Sequence, residues 1–229
     1  MEKCVHLDHI ALGVCYYPEQ WPRTMWQSDL RRMKAHGIET VRVFEFAWSV
    51  IEPKDDTWDF SLFDEFLSLA AEEKMQVIMG TPSATPPAWL THAHPEVLNS
   101  RQDGTLYRHG HRRHYNYNSP VYHAYVRRVV TKLAERYGGK AYDSVEALLA
   151  DPNVDAVSVC SANASHAQIA VAALEAGKHV LCEKPMATTL ADCERMVEAA
   201  KKSGKKLMID QNQRLAGAHV KARELIEQG

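Results

Sequence analysis

The chain has 229 residues, of which 45% are hydrophobic and 24% are charged, so it is long enough for one large globular domain or two small ones. A formal net charge of -2 argues against a nucleic-acid-binding surface, and we expect small-molecule chemistry with no nucleic-acid partner. No apolar run reaches the roughly 18 residues of a membrane-spanning helix, so we expect no membrane partner and a cytoplasmic location. The five cysteines form no CxxC pair, which indicates scattered, reduced thiols.

The first half of the chain alternates strand and helix patterns. Short apolar runs predict strands at residues 9–17, 38–44 and 76–82. Apolar residues at helical spacing predict helices at residues 24–37 and 60–74 between them. This βαβαβ order requires parallel strands.

A long polar loop is predicted next, over residues 83–118. Ser119 and Pro120 then have the residue types of a helix N-cap and first turn. The helix that they begin carries Tyr122, Tyr125, Val129 and Leu133 on one face, and Gly138 is predicted to end it.

The second half repeats the alternation without a low-complexity linker before it. Helices are predicted at residues 142–151, 165–177, 189–204 and 218–228. Strands are predicted at residues 154–162, 179–185 and 206–213. Both halves are therefore α/β, and we expect their strands to join one mostly parallel sheet or partial barrel of about six strands, because parallel strands need cover on both faces.

The first half contains several long sequence motifs that occur in this order: "GVCYYPEQWP", "VRVFEFAWSVIEP", "GTPSATPPAWL" and "HRRHYNYNSPVY". Residues 1–138 thereby resemble the start of the catalytic barrel of glycoside hydrolase family 42, the β-galactosidases. The resemblance implies part of a (β/α)₈ barrel with a site for a small sugar on the loops after the strands. It makes Arg112 a ligand of the galactose ring and places Glu45, Phe46 and Trp48 in the wall of the sugar pocket.

Two other interpretations of these residues stay open. Arg42 and Glu45 could form a structural ion pair, and Trp48 and Trp58 could be core aromatics. The histidines of "HGHRRH" could bind a metal, but they lie in an arginine-rich loop without an acidic or thiolate partner in pattern, so we expect no metal.

A retaining glycosidase needs two carboxylates about 5 Å apart. The family resemblance implies that one of them follows strand 4 of the barrel, roughly a dozen residues after the helix ending in "RYG", and that the other lies on strand 7. Counting on from Gly138 reaches Ala150 and Asp151, which belong to a predicted turn, "LLADPN". Since the chain ends before strands 5 to 8, we expect no complete catalytic pair.

The second half contains "LLADPNVDAVSV", "ALEAGKHVLCEKPMATTL" and "EAAKKSGKKLMIDQNQR". Residues from about 134 to 229 thereby resemble the Gfo/Idh/MocA family of nicotinamide-dependent sugar oxidoreductases. The resemblance implies a Rossmann-like fragment in which Lys184 is the catalytic cation beside the nicotinamide, where it can stabilise an alkoxide. It also implies that Glu183, Pro185, His166 and Arg214 flank the nicotinamide end of the cofactor site. Without the resemblance, Lys184 would be a surface lysine and His166 an ordinary residue of a helix N-terminus.

A dinucleotide fold also needs a G-x-G-x-x-G turn, in which the pyrophosphate sits at a helix N-terminus. No G-x-G-x-x-G motif occurs in the sequence. Ser161 and Ala162 also stand where family members usually have Thr-Pro. NAD(P) is therefore implied by resemblance alone, and we expect it to bind weakly.

The sequence as a whole predicts a chimera, with a partial barrel at residues 1–138 and a partial Rossmann-like fragment at residues 139–229. The leading hypothesis is a hybrid carbohydrate-enzyme-like chain without a complete active site. Two alternatives remain: a galactosidase or an oxidoreductase completed by another chain, and a non-catalytic sugar-binding module. If the sheet stays open, we expect a homo-oligomer formed through its edges.

Overall fold

The computed structural model describes residues 11–110 and 114–228 of the chain. The chain divides into two compact units, Met1–Ala141 and Tyr142–Gly229. Each unit is α/β, as predicted, and each has its own parallel sheet of three strands.

The first unit begins with the predicted βαβαβ arrangement. Its sheet has the order β1-β2-β3 and is parallel throughout. Two amphipathic helices make the crossovers, as the helical spacing of their apolar residues predicts. The bounds are β1 Leu12–Cys15, α1 Arg23–Ala35, β2 Ile38–Val43, α2 Trp48–Ile51, α3 Ser61–Glu72 and β3 Gln76–Met79.

The segment predicted as a long polar loop is more ordered than expected. It contains helix α4, Ala88–Ala93, and two 3₁₀ turns, Pro82–Ala84 and Pro95–Val97. Leu90 of α4 is fully buried and anchors this short helix. Six residues hold too few periodic apolar positions for a sequence pattern to reveal such a helix.

Helix α5, Pro120–Tyr137, begins and ends where the sequence predicts. The Ser119 side chain accepts a hydrogen bond from the Tyr122 backbone N–H at 3.3 Å, which satisfies one unpaired donor of the first turn. Gly138 ends the helix in the left-handed conformation, with φ 75°. Of the predicted face, Tyr122, Val129 and Leu133 are buried in the core of the first unit, and Tyr125 packs against it partly buried.

The second unit is a second parallel sheet, with order β4-β5-β6. Its core is built by the alanine-rich helix α7 and by α8, where Ala170, Ala173 and Met196 are fully buried. Small alanine side chains allow close helix packing. The bounds are α6 Val145–Leu149, β4 Ala156–Val159, α7 His166–Glu175, β5 His179–Cys182, α8 Leu190–Ser203, β6 Leu207–Ile209 and α9 Gly217–Glu227.

The prediction of one sheet with about six strands is wrong, because the chain forms two sheets of three strands. Val41 and Val43 are buried in the core of the first unit, whereas Val180 and Cys182 are buried in the core of the second. Each core therefore closes around the helices of its own unit. In the described part of the chain, no strand pair joins the two sheets.

Among the residues that the structure describes, no helix is both long and apolar enough to cross a membrane.

Candidate functional site

The first candidate site lies at the carboxyl edge of the β1-β2-β3 sheet. Tyr17 follows β1, and Glu45 and Phe46 follow β2. Because neighbouring parallel strands end at the same edge of a sheet, the fold brings these residues together. Gly80, after β3, donates its backbone N–H to the Val43 carbonyl at 2.8 Å and ties the third loop to the same place.

A strained turn presents Glu45 to this edge. Phe44 has φ 76°, in the left-handed region that bulky residues avoid. Its ring is fully buried and stacks on Phe63, with 3.8 Å between the ring centroids. A Cβ atom at Gly80 would lie 3.1 Å from the Val43 carbonyl oxygen and 3.5 Å from the Glu45 nitrogen, so a larger residue there would crowd the backbone of the turn. The packing therefore fixes the backbone of Glu45.

The Glu45 carboxylate has two partners. The Tyr17 hydroxyl donates to Oε2 at 3.2 Å, and the Arg42 guanidinium lies 3.4 Å from Oε1. Burial, then the interaction with Cys15 and the neighbouring Glu45 charge, raise the pKa of the Tyr17 phenol well above its usual range. The Tyr17 ring also meets the Phe46 ring edge-on, with 5.0 Å between centroids. Tyr17 thus contacts both Glu45 and Phe46.

Tyr17 is not among the residues that the sequence predicts for the site. The word "GVCYYPEQWP", which includes it, contributes to the family resemblance, but no pattern distinguishes Tyr17 from Tyr16. Tyr16 is buried and donates to Asp29 at 2.9 Å. Only the three-dimensional contacts distinguish the two tyrosines, because Tyr17 and not Tyr16 donates to Glu45.

The other residues predicted for the sugar pocket have different environments. Phe46 is 43% exposed, so its ring face is accessible to a ligand. Trp48 is fully buried and donates its indole N–H to Glu52 Oε2 at 2.8 Å, so it is a core aromatic and does not line an open pocket. Its apolar ring also fits the interior of the unit better than the surface. Arg112 lies outside the described residues.

Glu52 explains why Trp48 is held inside. The Glu52 side chain is fully buried and forms an ion pair with Arg128 of α5. It also accepts a hydrogen bond from the Asp56 backbone N–H at 3.0 Å. Arg128 bridges to Asp55 at 2.7 Å. A buried carboxylate is stable only when paired in this way, so the network ties the α2 loop to α5.

The histidine loop shows no metal cluster in its described part. The ring centroids of His109 and His114 lie 5.1 Å apart, and the His109 Nδ1 lies 3.1 Å from the Thr91 hydroxyl oxygen. Burial and the neighbouring His114 lower the pKa of His109. His111 lies outside the described residues. Among the described residues, no group of three or more His, Cys, Asp or Glu side chains could hold a metal ion.

Asp151, the residue that counting from Gly138 reaches, is a turn residue. Its Oδ1 accepts from the Asn153 backbone N–H at 2.9 Å, which is an Asx turn, and its Oδ2 accepts from the Tyr142 hydroxyl at 2.7 Å. Lys178 donates to its backbone carbonyl at 2.8 Å. The carboxylate is therefore used by its own loop.

The second candidate site lies at the carboxyl edge of the β4-β5-β6 sheet. Glu183, Lys184 and Pro185 follow β5, and Arg214 lies in the 3₁₀ turn Asn212–Leu215 after β6. Lys184 and Arg214 are exposed, and the Lys184 backbone N–H donates to the Glu183 carboxylate at 3.1 Å. The Lys184 ammonium has no partner among the described residues, so it is available to a ligand.

His166 differs from the other residues predicted for the cofactor site. It is 1% exposed. Its Nδ1 lies 2.8 Å from the Pro185 carbonyl oxygen, and its Nε2 lies 3.1 Å from the Ser161 carbonyl oxygen. Both ring nitrogens are thus occupied by the backbone, and neither is free to contact a cofactor.

Comparisons with known proteins separate the chain in the same way. The family description "Beta-galactosidase", of glycoside hydrolase family 42, matches residues 15–146. The description "Oxidoreductase family, NAD-binding Rossmann fold", of the Gfo/Idh/MocA group, matches residues 119–211. The predicted chimera of these two families is confirmed. The two matches overlap on residues 119–146, which include α5.

Individual relatives cover only part of this chain. The β-galactosidase BgaA of Thermus sp is 51% identical over 128 residues, which are 56% of this chain and 20% of that protein. The solved β-galactosidase of the Antarctic haloarchaeon Halorubrum lacusprofundi is 39% identical, with a TM-score of 0.54, over 65% of this chain and 21% of that one. The chain thus spans about one fifth of the length of these relatives.

Proposed function

The chain belongs, through residues 15–146, to the glycoside hydrolase family 42 of β-galactosidases, and we propose that this unit binds a galactose-type sugar without hydrolysing it. The residues after 146 continue as an oxidoreductase-like segment. The proposed molecule is therefore a hybrid carbohydrate-enzyme-like chain that keeps part of a sugar site.

The single observation that carries the binding proposal is the group formed by Tyr17, Glu45 and Phe46. Glu45 is 28% exposed and held by Tyr17 and Arg42, so its carboxylate has a defined position and still reaches solvent. A fixed carboxylate beside an accessible aromatic ring is what a pyranose requires, because its hydroxyls hydrogen-bond and its apolar face stacks. We include Arg112 as a further ligand of the ring, as the family resemblance implies.

The absence of hydrolysis is proposed from the course of the chain after α5. In a retaining glycosidase the acid and the nucleophile face one anomeric carbon from two strands. Here the strand after α5 is β4, and β4 pairs with β5 in the second sheet. Asp151 lies in the loop before β4, and its carboxylate accepts a hydrogen bond within a turn. Groups that only bind the sugar stabilise its ground state. Without groups that stabilise the transition state, they do not accelerate hydrolysis.

Titration with galactose, followed by NMR of the Tyr17 and Phe46 ring signals, tests the binding proposal. We expect saturable shifts with a dissociation constant of about 1 mM or weaker, and about tenfold weaker binding for Glu45→Gln, because a hydrogen bond to a charged group is worth about 1.5–3 kcal/mol. Glu72→Gln, an exposed change on α3, is the matched control and should bind as the unmodified protein does. Shifts that are absent, or that are equal in both variants, would overturn the proposal.

A second function is favoured by the exposed Lys184 and Arg214. We propose that NAD(P) contacts them at its nicotinamide end, where the Lys184 ammonium could stabilise an alkoxide. Most of the affinity in a dinucleotide fold comes with the pyrophosphate turn, and the sequence contains no G-x-G-x-x-G. Calorimetric titration with NADH and NADPH should therefore show no micromolar binding. Micromolar affinity would overturn the expectation of weak binding, and its loss in Lys184→Ala would show that the Lys184 ammonium contributes to it, whereas unchanged affinity in that variant would contradict the proposed contact.

A further inference from the structure

One face of the β4-β5-β6 sheet is covered by helices and the other is open. The strand register places Ser158, Leu181 and Met208 in one row on the open face. Ser158 is exposed, and Leu181 and Met208 are 40% and 58% exposed. The opposite face carries Val180 and Cys182, which are buried in the same core as residues of α7 and α8. Because parallel sheets are normally covered on both faces, this open face lacks a layer.

The open face contains an apolar groove of about 410 Å³. Among the residues that line it are Ala156 and Ser158 of β4 and Leu181 of the central strand β5. Lys206, which directly precedes β6, lines it as well. In α/β proteins the layer that covers such a face is a helix with an apolar stripe.

Helix α9 has an apolar stripe and no surface to cover it. Ala218, Ala222, Leu225 and Ile226 follow helical spacing and lie on one side of the helix. Leu225 and Ile226 are 56% and 79% exposed, and α9 contains no buried residue. An isolated helix of 11 residues is only marginally stable in water, so α9 needs a surface to pack against.

The charges at the amino end of the sheet favour one orientation of such a helix. The last turn of α9 is negative, because it carries Glu224, Glu227 and the negative end of the helix dipole. A helix that lies antiparallel to the strands brings this turn close to Lys206. Within α9 the two glutamates pair with Lys221 and Arg223. Those pairs are exposed and therefore weak, so they do not oppose the contact.

We propose that the open face binds α9 of a second copy of this chain, so that a two-fold pair covers both helices and both open faces. In the structure α9 is exposed along its whole length and the face of its own sheet is open, so each copy offers both surfaces to the other without rearrangement. The helix–sheet contact occurs twice in such a pair. Two contacts of about 800 Å² each would reach the roughly 1,600 Å² of a standard interface. The proposal depends on no sugar or cofactor binding.

Sedimentation equilibrium of the full chain tests the interface. We expect a monomer–dimer equilibrium with a micromolar dissociation constant, weakened at least about tenfold in Leu181→Lys and in Leu225→Lys, because each change puts a charge into the apolar contact. Val220→Lys is the matched control, since Val220 lies on α9 outside the stripe and should leave the equilibrium unchanged. Leu181 lies on the central strand, so its effect is separate from any pairing of strand edges. A monomer at every concentration, or a dimer that neither lysine weakens, would overturn the proposal.

Isotope-filtered NMR of a mixture of labelled and unlabelled chains identifies which copy supplies the helix. We expect nuclear Overhauser contacts between the Leu225 methyl groups of one copy and the Leu181 methyl groups of the other. Contacts found only within one copy would show that α9 folds back onto its own sheet. They would overturn the proposal of a second copy as the partner.

Discussion

Phe44 and Glu45 show how a single backbone position shapes the first site. Phe44 adopts φ 76°, and the stack of its ring on Phe63 holds it there. Such strain is retained where surrounding packing fixes it, and it occurs often at functional sites. Here the strain turns the chain at the end of β2, so that Glu45 meets Tyr17 while Phe46 stays accessible.

Glu19 is the residue at which the fold and the charge conflict most clearly. Both of its carboxylate oxygens are buried without a hydrogen-bond partner among the described residues. Burial accordingly raises the pKa of Glu19. The folded state favours the protonated acid, so its contribution to stability is present at low pH and is lost as pH rises through the raised pKa.

We expect Glu19→Gln to raise the free energy of unfolding at pH 7 by about 1 kcal/mol, because it removes a buried charge that has no partner among the described residues. The gain should shrink toward pH 4, where the native carboxyl is already neutral. Urea unfolding at the two pH values measures both effects. The exposed Glu72→Gln serves as the control, and a variant less stable than the unmodified protein at pH 7 would show that Glu19 does have a partner.

At the scale of elements, the sequence predicts helices best where chemistry marks their ends. Ser119 and Gly138, which the sequence predicts as the ends of α5, are confirmed as its caps. Thr189 and Gly204 cap α8 in the same way. Helix α4 carries no such marks, and the sequence does not reveal it. The strands of both sheets and their parallel direction were predicted, but their division into two sheets was not, because it depends on which core each strand closes.

Each capping residue offers a local test of stability. We expect Ser119→Ala to cost about 1 kcal/mol, because it leaves the Tyr122 N–H of α5 unpaired. Thr189→Ala is the matched change in the second unit, since its hydroxyl accepts the Asp192 N–H at 3.2 Å. Amide exchange should rise in α5 alone for the first variant and in α8 alone for the second. Exchange that rises throughout the chain in either case would contradict this division.

At the scale of the whole molecule, the candidate site residues divide according to what sequence can show. Residue types and family sequence motifs identified Glu45, Phe46 and Lys184 as candidates, and the structure leaves all three accessible. They could not show that Trp48 and His166 are buried, because burial depends on packing between segments distant in sequence. Tyr17 was not predicted for the same reason, because its contact with Glu45 joins segments distant in sequence.

Both sheets also have outer strands that pair on one side only within the described residues. Ile78 on β3 is 57% exposed and Met208 on β6 is 58% exposed. Unpaired edges of this kind bind other strands, so we propose that the chain forms homo-oligomers through them. Light scattering should show a mass that rises with concentration and falls in Ile78→Lys with Met208→Lys. A monomer over a wide concentration range would refute the proposal.

Hydrolysis of a chromogenic nitrophenyl β-galactoside by the purified protein most directly tests whether the chain lacks glycosidase chemistry. The strand after α5 belongs to the second sheet, and Asp151 gives its carboxylate to a turn, so we expect no release of nitrophenol above the rate in buffer. Turnover that is lost in Glu45→Gln and retained in Arg112→Ala would contradict the proposed binding without hydrolysis, because it would require a catalytic carboxylate pair that includes Glu45.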